Sequence, residues 1–346
     1  MIQNGMYFHL PEDEYHADPA LGGGDVRNLL ISPLTYWVNS HMSDWPDKES
    51  EALTNGSAFH KRIIEGADRF AEQYAVKPDK ADYPDALDGS ADLKSWLRDH
   101  DMKVSGTIAE LCERIREADP DVELWPDIMA DFEDASEGKI RLSPEIAMQI
   151  AFRAGIVDRH PVAHKAFSGG YPEVSIFWTD QETGVRCKCR CDYLKTKAVV
   201  ELKTFSNQFD KPLDAAVMNA IAQRRYHISA AMYLEGVEQA KRLIREDPTF
   251  IHDDAPSGWL KEFMTGDHAY VFVFIETGRV PNVVLREFRT HRSKNEVNFY
   301  WTSGQQHFRR ALGVYQQCIE TFGTDPWIVP EPMKPLIDEE FPAWLE

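Results

Sequence analysis

The chain has 346 residues, with 57 acidic against 38 basic side chains, a formal net charge of −19 and 43% hydrophobic residues, enough for a real core and long enough to favour one large domain with insertions, or two domains. No apolar run approaches the roughly 18 residues of a membrane span, and the opening Met1-Ile-Gln-Asn-Gly-Met lacks the basic-then-apolar pattern of a secretory leader; a soluble cytoplasmic protein with no membrane partner is expected. Five cysteines, an odd number without disulfide-framework spacing, exclude a disulfide scaffold and agree with a reducing compartment.

The first sixty residues read as helices separated by turns. Gly22-Gly23-Gly24-Asp25 precedes an apolar-periodic run, Ser32-Pro33 combines a break with a helix start, and Asn55-Gly56 opens a helix through Phe59, His60, Ile63 and Ile64. Residues 78–90 have linker composition. From Asp92 to Arg116 the apolar positions Leu93, Trp96 and Leu97, then Ile108, Leu111 and Ile115, flank Lys103-Val-Ser-Gly-Thr107, which predicts helix, extended turn, helix. An acidic, exposed segment is expected up to about residue 140, followed by a helix over 144–154.

The β portion follows. Glu173–Trp178 alternates as a strand, Thr179–Gly184 carries turn residues, Val185–Leu194 returns and Ala198–Phe205 forms a third strand. A long helix is predicted from Leu213 to Gly236, with Pro212 at its first turn and Gly236 at its end. Tyr270–Glu276 and Val283–Phe288 read as strands around Thr277-Gly278-Arg279, and Asn295–Phe322 as a closing helix. These elements predict a mixed α/β domain with a partly buried central sheet.

The densest chemistry lies between Val185 and Lys203. Side chains two apart on a strand share a face, so Cys187, Cys189 and Cys191 form one face, expected to turn inward because a buried thiol behaves as a small hydrophobe. Arg186, Lys188, Arg190 and Asp192 form the other. Glu201 and Lys203 share a face of the next strand, and a hairpin could bring Asp192 beside them. Two acids and a lysine at a strand end can hold a hard divalent cation and steer a water. From Arg186 to Lys203 six basic residues face two acidic ones, a local reversal of the overall charge that suits phosphate. Gln223-Arg224-Arg225-Tyr226-His227 adds a second basic patch.

Gly56-Ser-Ala-Phe-His60, Glu173, Asp192, Glu201-Leu202-Lys203 and Tyr226-His-Ile-Ser-Ala-Ala-Met-Tyr233 stand in the order seen in PD-(D/E)XK nucleases of the lambda exonuclease and RecB class. The chain resembles most closely the C-terminal nuclease domains of the RecE (exonuclease VIII) type and their phage or prophage relatives, from about residue 5 to 345, including Ser32-Pro33 and Phe341-Pro-Ala-Trp344. The resemblance implies a restriction-endonuclease-like core spanning 1–346, with Mg2+ (Mn2+ as a substitute) held by His60, Asp192, Glu201 and the main-chain carbonyl of Leu202. Lys203 would orient or deprotonate the attacking water, with Glu173 supporting a second metal or the water network. Arg186, Lys188, Arg190, Arg224, Arg225, Tyr226, Ser229 and Tyr233 would contact DNA. Such nucleases often carry Gln-x-x-x-Tyr on the long helix; here Ser229 stands four before Tyr233, and serine has the shorter reach.

Residues 88–120 resemble a SAP-like helix–extended–helix insertion, a module that often binds duplex DNA, although between Asp92 and Arg116 five basic residues are balanced by five acidic ones. The family implies an exodeoxyribonuclease that degrades one strand of duplex DNA from its end, 5′ to 3′, as a homo-oligomeric ring partnered by a RecT-type single-strand annealing protein. Two other readings stay open: a RecB-like or Cas4-like nuclease acting on single strands or overhangs, and a non-catalytic scaffold that binds DNA ends.

Overall fold

A computed structural model describes residues 1–46, 51–253, 257–293, 296–330 and 332–334; the Phe341–Trp344 motif lies outside them. The chain divides into two units, Met1–Lys48 with Lys165–Glu346, and Glu49–His164.

The first unit starts with strand β1 (Gly5–Tyr7) and helices α1 (Glu12–Ala17), α2 (Gly23–Ile31) and α3 (Pro33–Val38). Ser32 caps α3, its Oγ accepting from the Thr35 amide at 3.0 Å, and Pro33 occupies the first turn, where its missing N–H costs nothing.

The second unit contains α4 (Glu51–Ile64), α5 (Gly66–Gln73), β2 (Tyr74–Val76), α6 (Gly89–Asp99), α7 (Ile108–Ala118), α8 (Trp125–Ala135), β3 (Ile140–Leu142) and α9 (Pro144–Arg159). Parallel pairing of β2 with β3 joins its two ends. The helix–extended–helix pattern appears as α6 and α7, closed over a small core of Leu93, Leu97, Leu111, Cys112, Ile115 and Leu124. Thr107 and Glu110 form a reciprocal capping box at the start of α7, each bond satisfying an otherwise orphaned amide. The acidic segment before residue 140, for which no element was predicted, contains α8, where Arg116 holds Asp127 through two 2.8 Å bonds.

The chain then returns to the first unit with β4 (Gly170–Thr179), β5 (Arg186–Lys195), β6 (Ala198–Phe205), α10 (Leu213–Gln223), α11 (Tyr226–Glu246), β7 (Ile251–His252), α12 (Ser257–Thr265), β8 (Ala269–Glu276), β9 (Val283–Phe288), the short β10 (His291–Ser293) and β11 (Glu296–Val297), and α13 (Phe299–Phe322). Seven strands form one mixed sheet in the order β7-β1-β4-β5-β6-β8-β9. β4, β5 and β6 run antiparallel to one another, and β6 pairs with β8 in parallel, a connection that requires a crossover; α10 and α11 lie within it.

The predicted helix from Leu213 to Gly236 is two helices. It breaks at Arg224-Arg225, where Arg225 takes a left-handed backbone with φ of 52°, a conformation disfavoured for a residue with a Cβ. Gly236 lies inside α11, ten residues short of its end. A Cβ there would sit 2.7 Å from Cys189 Sγ and 3.0 Å from Trp178, so this glycine lets the helix press onto the sheet. Gly304 does the same for α13, where a Cβ would lie 2.6 Å from the His227 carbonyl on α11. Cys187, Cys189 and Cys191 are free, fully buried thiols in the core beneath these helices.

Candidate active site

β5 alternates, and its non-cysteine face divides into two parts. Arg186, Lys188 and Arg190 turn toward the segment around α1. The Lys188 ammonium donates to the carbonyls of Tyr15 at 2.7 Å and Asp18 at 2.6 Å and lies 4.7 Å from the centre of the Tyr15 ring. Burial, offset in part by Asp25 and Asp18, lowers its pKa. Arg190 donates to Ser175 Oγ at 2.9 Å and to the Leu10 carbonyl. Arg186 pairs with Asp18 at 3.2 Å and donates to the Ile2 carbonyl at 2.5 Å. Lys188 and Arg190 are 6% and 9% exposed. Their donors, expected to meet phosphate, here hold the N-terminal segment onto the sheet. Arg186, a quarter exposed, is committed to the same task.

Two residues further along, the chemistry changes. Asp192 Oδ2 accepts the Leu202 amide at 2.7 Å, a bond across the β5–β6 hairpin that sets the Asp192 carboxylate beside the Glu201-Leu202-Lys203 run. Lys203 Nζ lies 2.5 Å from Glu201 Oε1. Both carboxylates are nearly sequestered, Asp192 at 8% and Glu201 at 3% exposure. Burial pulls the Lys203 ammonium down, but Glu201 and Asp192 outweigh that effect and hold its pKa above the ordinary lysine value. Its Nζ also lies 5.7 Å from the centre of the Tyr226 ring.

Glu173 stands opposite Asp192 on β4, between the registered pairs Pro172–Tyr193 and Val174–Cys191. A carboxylate oxygen of each lies within 4.8 Å of the other, and Arg190 Nε sits 3.7 Å from Glu173 Oε2. Glu173 carries a positive φ of 52°, an unusual backbone for a non-glycine residue and one that concentrates at functional sites. Three neighbouring strands thus supply Glu173, Asp192, Glu201 and Lys203 where β5 and β6 part, just past their last registered pair Tyr193–Val200. His60 is on α4 in the second unit, half-buried.

The helix behind the site completes the picture. Tyr233 is partly buried and Ser229 is 5% exposed. Burial, then the nearby Glu201 charge, raises the phenol pKa of Tyr233 and of the fully buried Tyr270 well above the usual value, so both keep their protons. Four residues before Tyr233, Ser229 Oγ accepts from Arg27 Nη1 at 2.5 Å. Arg27, on α2, was not singled out by the sequence, and 202 residues separate the pair, too far for any periodicity to link them. Arg224 and Arg225 are exposed at the helix break and Tyr226 is half-buried beside Lys203.

The described acids offer only hard carboxylate oxygens, which suits Mg2+ or Mn2+ and disfavours a thiolate-loving metal. The buried cysteines point away into the core, and the hydrogen bond with Cys189, followed by burial, lifts the Cys191 thiol far above its ordinary range.

The model for the family described as a PDDEXK-like domain of unknown function, DUF3799, matches residues 30–251. The chain belongs to this family. The DUF3799 match takes in His60, Glu173, Asp192, Glu201 and Lys203. A solved structure from Eubacterium rectale, named "Putative exonuclease", is 14% identical over 89% of this chain and 87% of its own, with a TM-score of 0.46. No curated protein matches the sequence. Among the described residues no helix is long and apolar enough to cross a membrane.

Proposed function

We propose that this DUF3799 chain is a metal-dependent deoxyribonuclease that hydrolyses phosphodiester bonds. The observation that carries the reading is the junction of Asp192, Leu202, Glu201 and Lys203 where β5 and β6 part. Asp192, Glu201 and the Leu202 carbonyl would hold Mg2+, with Glu173 beside them and His60 assigned by its Gly56-x-x-x-His60 spacing. The bound cation supplies a water of lowered pKa and charge to polarise the phosphate. Lys203, kept cationic by its two carboxylate neighbours, stands where it can orient that water and neutralise charge developing on the phosphoryl oxygens. Tyr226 bounds the same spot, and exposed Arg224 and Arg225 offer phosphate contacts nearby.

Within this reading the substrate is the end of duplex DNA. One strand is degraded 5′ to 3′, leaving a 3′ single-stranded tail for recombination by strand annealing, in a homo-oligomeric ring with a RecT-type partner. The motif order in the sequence supports these finer points, and the SAP-like α6–α7 pair offers a second place for duplex contact. Digestion of linear duplex labelled at either the 5′ or the 3′ end, with Mg2+ and a Lys203→Ala control, tests them together. Early release of the 5′ label by the wild type alone is expected. Equal digestion by the Lys203→Ala protein removes the assignment of the site, and release of the 3′ label first reverses the polarity.

A further inference from the structure

Beyond Lys203 the chain enters a cleft that adjoins the hydrolytic site. It follows β6 through Thr204 and Phe205, is closed on the far side by α10, and encloses about 510 Å3. Tyr226 belongs to both places: it lines the cleft and carries Lys203 over its ring. None of the lining residues is acidic, although the chain holds 57 acids. Instead the wall offers amides at Gln208, Asn219 and Gln223 and cations at Lys211 and Arg224.

The rim of the cleft is built rather than loose. Asn207 grips Lys211 twice, its Nδ2 donating to the Lys211 carbonyl at 2.8 Å and its Oδ1 accepting the Lys211 amide at 3.0 Å. The enclosed turn places Asp210 in a left-handed backbone and leaves Phe209 at its tip, 78% exposed, with Lys211 Nζ 5.6 Å from the ring centre. An aromatic ring held out in water by a clamped loop, with a cation beside it and amides behind, has the parts that bind single-stranded nucleic acid. The ring stacks a base of any identity, the cations take phosphates, and amides can meet base edges.

We infer that this cleft is a subsite for single-stranded DNA, with a nucleobase stacked on Phe209 and the adjoining phosphates on Lys211 and Arg224. It holds nucleotides of a strand whose scissile phosphate lies at Lys203, and in this it rests on the nuclease reading. The test is fluorescence anisotropy of labelled oligothymidylate on the full chain, with Ca2+ replacing Mg2+ so that binding is separated from cleavage. Phe209→Ala is expected to weaken binding about tenfold, the range of one lost base stack, and Phe209→Trp to retain it. Lys211→Ala is expected to reduce the dependence of log affinity on log salt by about 0.7, one phosphate's share. Oligothymidylate binding by Phe209→Ala within twofold of the wild type overturns the proposal, as does equal weakening by Phe209→Trp. Failure here is separable from failure of the nuclease reading. An inactive Lys203→Ala protein together with indifference to Phe209 removes the cleft alone, whereas full digestion by Lys203→Ala removes the hydrolytic site while a Phe209 effect keeps the strand subsite.

Discussion

The non-cysteine face of β5 and the place where β5 and β6 part use the same residue types in opposite ways. Along Arg186, Lys188 and Arg190 the cations meet main-chain carbonyls and Asp18, which precede the strand by more than 160 positions, and Arg190 also reaches Ser175 and Glu173 on the neighbouring strand. At Asp192, Glu201 and Lys203 the charged groups meet one another, two acids and one ammonium gathered where the strands part. A basic strand is thus no guide to a phosphate site; what each cation touches decides whether it builds or acts.

The sharpest test of that contrast pairs one residue from each region. Lys203→Ala is expected to lower cleavage of linear duplex by about 100- to 1000-fold, the size of a lost transition-state donor, as measured by release of labelled nucleotide. Lys188→Met should act on the fold instead. It strands two buried carbonyls that now accept charged donors, so urea unfolding should show a loss of about 2–4 kcal/mol, with the salt dependence of DNA binding unchanged. A shallower salt dependence in Lys188→Met would return this residue to the phosphate contacts.

Gly236→Ala probes the opposite, apolar face. The added methyl meets Cys189 and Trp178 and should cost about 1–3 kcal/mol, with Cys189→Ala in the same chain recovering part of it. Additive losses in that double variant would place the strain elsewhere.

The smallest expected effect is a pH dependence from the partly buried ring of His268. Burial first, then Lys241, pushes the His268 pKa from 6.5 down to about 4. The folded form therefore takes up its proton later than the unfolded chain does as pH falls. Stability is complete above 6.5 and declines toward 4, by about 1 kcal/mol per pH unit once the partial exposure of the ring is allowed for. Thermal melts between pH 7 and 5 should show the decline, and His268→Phe should flatten it.

Much of this arrangement was legible in the sequence where the signal was local. Strand alternation placed β4 to β6 and separated the cysteine face from the charged one, and the spacing of Glu201 and Lys203 with Asp192 upstream singled out residues that the structure brings together. Ser32, Pro33 and Thr107 announced their helix starts through their capping chemistry. What failed to show was set at long range. The carbonyls that occupy Lys188 and Arg190 come from a segment with no periodic relation to β5, and Arg27 reaches Ser229 from another helix. The break at Arg225 has neither glycine nor proline to signal it. Gly236 gave the wrong message because a glycine needed for close packing and one that ends a helix look alike along a chain. The acidity of residues 119–139 concealed α8, whose Arg116–Asp127 partnership offsets that charge.

Strand β1 sits between β4 and β7, with Met6 opposite both Ile176 and Ile251. During synthesis at about 5–20 residues per second, the ribosome releases this segment roughly ten seconds or more before either neighbour has been made. Until then its backbone groups and the apolar Met6 and Phe8 have no strand partner, and no pairing of the seven-stranded sheet can form until the inserted unit has emerged.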